Sequence, residues 1–419
     1  MFVNYVLQNS AIPSIMIYQN ISRPLYLEQI KPFVNKQIIK VLVGQRRVGK
    51  SYVLLQIMEY IRKTYPSANL IRIDMEREEF RHLRTGSDLY LFIKSKLDQA
   101  APNYVFVDEV QEVAEFENAI RSLHNENETD LYITGSNARM LSGELATTLS
   151  GRFIQIDVHS LGYEEFLRFH GLEQSTESLT AYLTIGGMPY LHHLGTAPAV
   201  VFEYLRNVYG TILLKDVVAR EGIRNVAFLE NLVSFLSDNV GSLVSAQNIS
   251  RFLKSQHINL PVPTVISYLQ ALANSFFVHK VQRAEVGGLK IFEVGEKYYF
   301  EDLGLRNCLR SFGFQQDINK LMENAIYLHL LRLRFRVFVG KLGEREIDFV
   351  AEKNGERVFI QSAYLLQDEA TVNREFGNLL AIADNHPKYV VTLDPFPVST
   401  SYKGIRQIPL GQFLLMESF

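Results

Sequence analysis

The sequence is poor in the features that mark secreted and membrane proteins. Its single cysteine, Cys308, cannot close an intrachain disulfide and does not provide a Cys-based metal cluster, which favours a reducing compartment. No stretch approaches the ~18 uninterrupted apolar residues that span a bilayer. Residues 1–20 also lack the basic start of a secretory signal. We therefore predict a cytoplasmic protein that does not act in a membrane.

An excess of charge of one sign is missing as well. The chain of 419 residues has 43 Lys and Arg against 45 Asp and Glu, which leaves a net charge of −2. This balance argues against a protein coated in positive charge, although a local basic face is compatible with it. With 47% hydrophobic and 21% charged residues, the chain is globular rather than disordered. Its length predicts two or three domains at ~150 residues each.

The first third of the chain alternates short β-branched runs with longer helical patterns, between Pro24 and Val158. Strands separated by helix-length segments are typical of a parallel sheet covered by helices on both faces. We therefore predict an α/β fold with such a sheet. The predicted strands are Ile38–Val43, Asn69–Ile73, Tyr104–Val107, Leu131–Thr134 and Phe153–Val158.

The sequence pattern changes twice in the remainder of the chain, and these changes determine the predicted domain boundaries. Residues 160–225 are predicted to be helices interrupted at Gly186–Pro189, as in a helical lid or linker. Residues 226–312 contain three helical patterns and two strands joined through Gly287 and Gly288, the element order of a winged helix. The predicted division is an N-terminal extension at 1–22, a core at 23–159, a helical segment at 160–225, a winged helix at 226–312 and a small α/β domain at 313–419.

The strongest motif runs from Gly44 to Ser51 and matches G-x-x-x-x-G-K-[ST] in full. A buried-strand pattern precedes it and a helical pattern follows it, which favours a phosphate-binding loop over an ordinary glycine turn. In such a loop, Lys50 contacts the β- and γ-phosphates and the Ser51 hydroxyl binds Mg²⁺. The predicted nucleotide-binding residues are Gly44, Gln45, Arg46, Arg47, Val48, Gly49, Lys50, Ser51 and Tyr52, with ATP and Mg²⁺ as cofactors.

Two carboxylates, Asp108 and Glu109, end the apolar run that begins at Tyr104. We predict that Asp108 holds Mg²⁺ through water near Ser51, and that Glu109 acts as the general base that polarises an attacking water. A solvated acidic turn is the alternative, because acidic residues are common after strands. The pair favours a nucleotide hydrolase over a small-molecule kinase.

Polar residues near the next two predicted strands are further candidates. Ser136 and Asn137 follow a strand that we expect to lie between the phosphate loop and the acidic strand, where they could touch the γ-phosphate or orient water. An Asx- or Ser-type turn that caps a helix explains them equally well. Arg152 precedes the fifth strand and could supply positive charge to the transition state, in its own chain or from a neighbouring subunit. Lys50, Glu109, Asn137 and Arg152 are the predicted catalytic residues.

These motifs resemble those of uncharacterised prokaryotic AAA-type ATPases that carry a C-terminal domain of unknown function. The similarity covers most of the chain, from about Arg23 to Tyr364. It implies an ATPase core, a winged helix and a tail similar to restriction endonucleases, and it gives Lys50, Ser51, Asp108 and Glu109 the roles stated above. The segments that carry it are Gly44–Ser51, Phe106–Gln111, Ile133–Ser142, Tyr182–Pro189 and Lys297–Leu305.

The tail departs from the pattern of an active nuclease. Such a site needs a helix glutamate, a strand aspartate and then Glu/Gln-x-Lys on the next strand, which together hold Mg²⁺ and a water. Glu323 and Asp348 supply the first two elements, but the third reads Gln361-Ser362-Ala363 and has no lysine. We therefore predict a degenerate nuclease fold that docks a partner and does not cleave.

The evidence for DNA binding is weaker than that for nucleotide binding. The predicted recognition helix, Thr264–Asn274, contains no Lys or Arg, although phosphate neutralisation supplies most DNA affinity. The basic residues around it are Arg251, Lys254, Lys280, Arg283 and Lys290. Three functions therefore remain open: an ATP-hydrolysing switch acting on a macromolecular client, a protein that binds ATP with little turnover, and an ATP-modulated DNA-binding effector. A homo-oligomer is compatible with each.

Overall fold

The structure is a computed structural model, and it describes residues 21–138, 149, 151–255, 258, 260–309, 313–366, 369–394 and 401–419. The predicted N-terminal extension at 1–22 lies almost entirely outside these residues. Among the described helices, none is long and apolar enough to cross a membrane.

The N-terminal part contains a five-stranded parallel sheet with the order β2-β3-β4-β1-β5. This sheet confirms the predicted α/β fold class, and β4 lies between the strand before the phosphate loop and the strand that ends in Asp108, as expected. The strands are β1 (Ile39–Val43), β2 (Asn69–Asp74), β3 (Asn103–Asp108), β4 (Thr129–Gly135) and β5 (Phe153–Asp157).

The central strands are buried on both faces because helices cover each side. Every residue of β1 and β3 is buried. Since successive side chains of a strand point to opposite faces, Leu42 and Phe106 pack in one hydrophobic cluster while Val41 and Val105 pack in another. This explains why the sequence shows continuous apolar runs here instead of alternation. The covering helices are α1 (Pro24–Ile30), α2 (Lys50–Thr64), α3 (Gly86–Lys96) and α4 (Phe116–Glu126).

A helical segment follows the sheet, and the boundaries predicted for it at 160 and 225 stay a prediction. It contains α5 (Tyr163–His170), α6 (Thr176–Ile185) and α7 (Pro198–Thr211), and α7 continues directly into a π-helix at Ile212–Ala219. The next three helices are α8 (Val226–Asp238), α9 (Ala246–Ser255) and α10 (Val262–Asn274), and a short helix, α11 (Leu303–Cys308), follows the hairpin described below.

The hairpin predicted as a wing belongs to a larger sheet. Strand β6 (Val278–Glu285) pairs antiparallel with β7 (Ile291–Phe300) and parallel with β8 (Arg336–Leu342) of the tail. The predicted boundary between residues 312 and 313 stays a prediction, but one eight-stranded sheet crosses it, in the order β12-β13-β11-β10-β9-β8-β6-β7. Its other elements are α12 (Phe314–Arg332), β9 (Arg345–Lys353), β10 (Glu356–Ala363), α13 (Glu369–Leu380), β11 (Lys388–Thr392), β12 (Ser401–Tyr402), β13 (Ile405–Pro409) and α14 (Leu410–Phe413).

A buried charge network joins the start of the described chain, the helical segment and the tail. The carboxylate of Glu165 on α5 accepts hydrogen bonds from the guanidinium groups of Arg23 and Arg332. Arg23 also donates to the phosphate-loop carbonyl of Val48 at 2.8 Å, and Arg332 donates to the carbonyl of Ser160 at 3.1 Å. Burial alone would raise the pKa of Glu165, but the two guanidinium groups outweigh it and lower that pKa to about 2.

We expect Glu165→Gln to destabilise the fold by about 3–5 kcal/mol, because two buried guanidinium groups lose their counter-ion. The wild-type pKa lies below its unfolded value, so this carboxylate contributes stability above pH 4.5 that is lost as the pH falls from 4.5 towards 2. The variant should therefore lose less stability than wild type over that interval. Urea unfolding followed by far-UV circular dichroism measures both effects, since the chain has no tryptophan.

The matched control is Glu164→Gln, which alters an exposed carboxylate 3.6 Å from Arg168 on the same helix. Exposed ion pairs of this kind contribute ~0–1 kcal/mol. Equal losses of stability in the two variants would contradict a special role for the buried network.

Candidate nucleotide-binding site

The phosphate loop forms a concave turn between β1 and α2. Arg47 and Gly49 adopt left-handed backbone conformations, with φ of 74° and 98°, and this alternation turns successive N–H groups towards one side. Gly44 is required for a different reason, because a Cβ there would lie 2.1 Å from the carbonyl oxygen of Val158. The loop can therefore approach β5 only with glycine at its first position.

Lys50 is the first residue of α2, and its ammonium group is buried inside the loop. It donates to the carbonyls of Gly44 and Gln45 at 3.0 and 3.1 Å and lies 3.4 Å from Oε1 of Glu109. Burial would raise the pKa of Glu109, but Lys50, Gln111, Arg46 and Ser136 together lower it to about 2. Glu109 is therefore a carboxylate at neutral pH, and Lys50 is its ionic partner.

Asp108 and Ser51 lie side by side at the end of β3 and the start of α2. Burial raises the pKa of Asp108, and hydrogen bonds from Thr134 and Ser51 partly offset this effect. Thr134 at the end of β4 also accepts the backbone N–H of Glu109 at 2.8 Å, so one hydroxyl orients both acidic residues. A hydroxyl beside a carboxylate is a donor set that suits Mg²⁺, and these residues fit the predicted ion.

A cavity of about 320 Å³ opens against the loop. Its lining includes Lys50, Ser51, Asp108 and Glu109, together with residues far away in the sequence. Two of these distant residues, Tyr190 and Tyr204, stack with ring centroids 5.2 Å apart. Sequence patterns did not indicate them, because they belong to the helical segment and reach the loop only through packing. Other such residues are Arg23, Phe169, Pro189 and His192.

The π-helix holds the loop through one buried carboxylate. Asp216 accepts from Nε of Arg46 at 2.8 Å and lies 2.9 Å from Nη1 of Arg220. Arg220 also donates to Oγ of Ser136 at 2.8 Å, and Ser136 donates to Oε2 of Glu109 at 3.1 Å. A π-helix is rare and often lies at a functional site. No local sequence motif indicates Arg220 or Asp216.

One of the two polar residues that follow β4 contacts the site. Ser136 contacts the Glu109 carboxylate directly, and Asn137 beside it is buried. The catalytic role predicted for Asn137 stays a prediction.

The structure corrects part of the prediction for Arg152. This residue precedes β5, and in a parallel sheet the start of a strand lies at the edge opposite the phosphate loop; Ile39, at the start of β1, pairs with Phe153. Arg152 is exposed and donates to Oδ1 of Asn125 at 3.0 Å. It therefore does not reach the loop of its own chain, and a role in the site of a neighbouring subunit stays a prediction.

The tail contains a second cluster of charged side chains. Lys297 on β7 lies 2.7 Å from Glu323, 2.9 Å from Glu346 and 3.6 Å from Asp348. Burial and the neighbouring Glu323 raise the pKa of Asp348 above its usual value. A lysine from the hairpin therefore lies beside Glu323 and Asp348, although Ala363 does not supply one. The absence of nuclease activity stays a prediction.

Comparison with known proteins supports the assignment of the core. A family model described as an AAA domain matches residues 36–167, and another described as a domain of unknown function matches residues 176–316. An uncharacterized protein of Haemophilus influenzae is 32% identical over 401 residues, which cover 94% of this chain and 98% of that protein. The chain belongs to the same family as this Haemophilus protein. It is a family of AAA-type P-loop proteins in which a domain of unknown function follows the AAA domain.

The chain also has more distant similarities. An uncharacterized protein of Methanocaldococcus jannaschii is 26% identical over 81% of this chain and 77% of that protein. The ORC2 protein of Aeropyrum pernix, solved with ADPNP and ADP, has a TM-score of 0.39 and 9% identity over 72% of this chain and 91% of that chain. AMPPCP-bound DnaA from Aquifex aeolicus has a TM-score of 0.28 and 13% identity over 59% and 87%.

We expect Arg220→Ala to lower the turnover of any hydrolysis at this site by about tenfold to hundredfold. The reason is that Arg220 positions Ser136, which in turn contacts the Glu109 carboxylate. The affinity for nucleotide should change much less, because Arg220 is absent from the described lining of the cavity beside the loop. Steady-state phosphate release and equilibrium nucleotide binding separate the two effects.

Arg224→Ala is the control, since Arg224 is an exposed arginine four residues further along the chain. A loss of turnover in this variant as large as that in Arg220→Ala would contradict the positioning role.

Proposed function

We propose that this protein is a Mg²⁺-dependent ATPase that works as a nucleotide-driven switch on a macromolecular partner. The observation that supports this most strongly is the Lys50 ammonium, held 3.4 Å from the Glu109 carboxylate inside a phosphate loop. A cation that binds phosphate and a carboxylate that can act as a base are the two groups that triphosphate hydrolysis needs at one point.

The loop residues would bind the triphosphate through their backbone N–H groups and through Lys50. Ser51 and Asp108 would hold Mg²⁺, which neutralises negative charge on the phosphate oxygens when bound. Thr134 keeps both carboxylates in place, because it donates to Asp108 and accepts from the backbone of Glu109. These roles follow from the donor types and their positions at the carboxyl edge of the sheet.

Glu109 would act as the general base for the attacking water. In the structure Lys50 is its partner, and this contact lowers the pKa of the carboxylate. Transfer of Lys50 to phosphate oxygens removes that stabilising charge, so the carboxylate becomes more basic when substrate occupies the loop. Glu109 then accepts a proton from water while Ser136 holds its second oxygen.

Asp216 of the π-helix would transmit the change in bound nucleotide to the helical segment. This carboxylate holds Arg46 of the loop and Arg220 beside Ser136, so it contacts both sides of the site. Phosphate oxygens compete with Asp216 for the guanidinium group of Arg46, which lines the cavity. A gain or loss of the γ-phosphate would thus change the contact between Arg46 and Asp216 and move the helical segment that leads to α8–α10 and the tail.

The first experiment replaces the proposed base. Glu109→Gln should bind ATP with an affinity close to that of wild type but release phosphate at least a hundredfold more slowly, because the amide cannot accept the proton. Glu115→Gln is the control, since it removes an exposed carboxylate from the same connection between β3 and α4. Magnesium-dependent phosphate release and equilibrium ATP binding are measured on all three proteins.

This experiment also separates a hydrolase from a passive binder. A passive ATP-binding protein would release no phosphate as wild type, and Glu109→Gln would change nothing. That result would refute the proposed activity while leaving the binding site intact.

DNA binding is a second candidate because α8–α10 and the hairpin β6–β7 follow one another in the order of a winged helix. Against it, α10 carries no Lys or Arg. If DNA is the partner, the affinity should depend on ATP and fall steeply with salt, because phosphate contacts release counterions. Fluorescence anisotropy with duplex DNA tests this, and binding that does not change with salt would count against DNA as the partner.

A further inference from the structure

Two histidines and a glutamate converge at the junction between the AAA core and the C-terminal sheet. Nδ1 of His159 lies 3.0 Å from Oε2 of Glu301, and Nε2 of His279 lies 2.6 Å from the same oxygen. The three residues come from separate places, namely the segment after β5, strand β6 and the residue after β7. The nitrogen, nitrogen and oxygen atoms all lie within 4.8 Å of one another.

The carboxylate is held in a fixed orientation by its other oxygen. Oε1 of Glu301 accepts the backbone N–H of Ser160 at 2.7 Å, and the Ser160 hydroxyl donates to the backbone carbonyl of Glu301 at 2.7 Å. Glu301 is 1% exposed and His159 is 8% exposed. A buried ligand oriented by such outer hydrogen bonds is the usual arrangement at metal sites in proteins.

We propose that His159, His279 and Glu301 bind a divalent transition-metal ion of the zinc class, with water as the fourth ligand. Imidazole nitrogens favour zinc and similar ions, whereas Mg²⁺ and Ca²⁺ prefer oxygen ligands alone. Tetrahedral zinc with bonds of ~2.0–2.2 Å separates its ligand atoms by roughly 3.3 Å. The contacts of 3.0 and 2.6 Å are slightly shorter, so the side chains need to open by less than ~1 Å to admit the ion.

Nearby positive charge does not block the site. Arg23 and Arg332 are the neighbouring guanidinium groups, and both are engaged by Glu165. With neutral imidazoles the triad carries one negative charge, and a divalent ion would leave the group with one positive charge.

The ion would have a structural role at the junction between the AAA core and the C-terminal sheet. Of the described residues that line the nucleotide cavity, none belongs to the triad. His159 follows Val158, whose N–H bonds to the carbonyl of Val43 at 2.7 Å, just before the phosphate loop. Arg23 donates to the carbonyls of both His159 and Val48. A metal at this point would therefore fix the loop side of the core to the hairpin of the C-terminal sheet.

The test uses the full-length protein, freed of metal with a chelator and then titrated with Co²⁺ and Zn²⁺. Wild type should bind one equivalent of Zn²⁺, and Co²⁺ should give the visible absorption of a tetrahedral site. The thermal unfolding midpoint should rise with Zn²⁺, because the ion binds the folded state. These measurements do not depend on nucleotide hydrolysis, so they test the metal site independently of the proposed ATPase activity.

Two variants and one control assign the site. His279→Gln and Glu301→Gln should weaken Zn²⁺ binding at least tenfold and abolish the Co²⁺ spectrum. His386→Gln should retain both, because His386 contacts the single acidic partner Asp384 at the surface. Circular dichroism shows whether each variant is folded. Because His279 lies at the less buried edge of the triad, its replacement keeps the test valid if Glu301→Gln fails to fold.

The proposal is overturned if folded wild type binds no stoichiometric Zn²⁺. It is also overturned if His279→Gln binds Zn²⁺ as tightly as wild type. Either result would leave the triad as a hydrogen-bonded contact between the core and the C-terminal sheet.

Discussion

The buried ammonium group of Lys50 is the interaction on which the rest of the site depends. It is enclosed by two loop carbonyls and by Glu109, and of the groups that lower the pKa of that carboxylate it has the largest effect. Phosphate oxygens can replace these partners, because a buried ammonium group is strongly stabilised by negatively charged acceptors. When the ammonium group leaves the Glu109 carboxylate for phosphate oxygens, Glu109 becomes more basic. Nucleotide binding and hydrolysis are therefore coupled through the side chain of Lys50.

The same loop is fixed to distant parts of the chain by arginines. Arg23 joins its backbone to Glu165 and so to the tail helix α12, while Arg46 joins it to the π-helix through Asp216. One hydrophobic cluster runs from α1 and α2 to α12 and α14. The core and tail are thus packed as one body, and a change at the phosphates has direct contacts through which to act on the C-terminal sheet.

The phosphate loop, the α/β sheet and the acidic pair could be predicted from the sequence because each depends on contiguous residues. The roles of Asp216, Arg220 and Lys297 could not be predicted. Each contacts residues that are distant in the sequence, and none belongs to a local pattern. Arg152 shows a different limit: closeness to a strand does not tell which edge of the sheet a residue occupies, unless the strand's direction is considered. Lys297 shows that a residue missing from a linear motif can be present in space.

If Lys50 holds a nucleoside triphosphate in the loop, calorimetric titration of the full-length protein with ATP and Mg²⁺ will show it. We expect saturable binding to one site in wild type and a loss of that binding in Lys50→Ala. Absence of binding by the folded wild-type protein, or equal binding by the alanine variant, would contradict it.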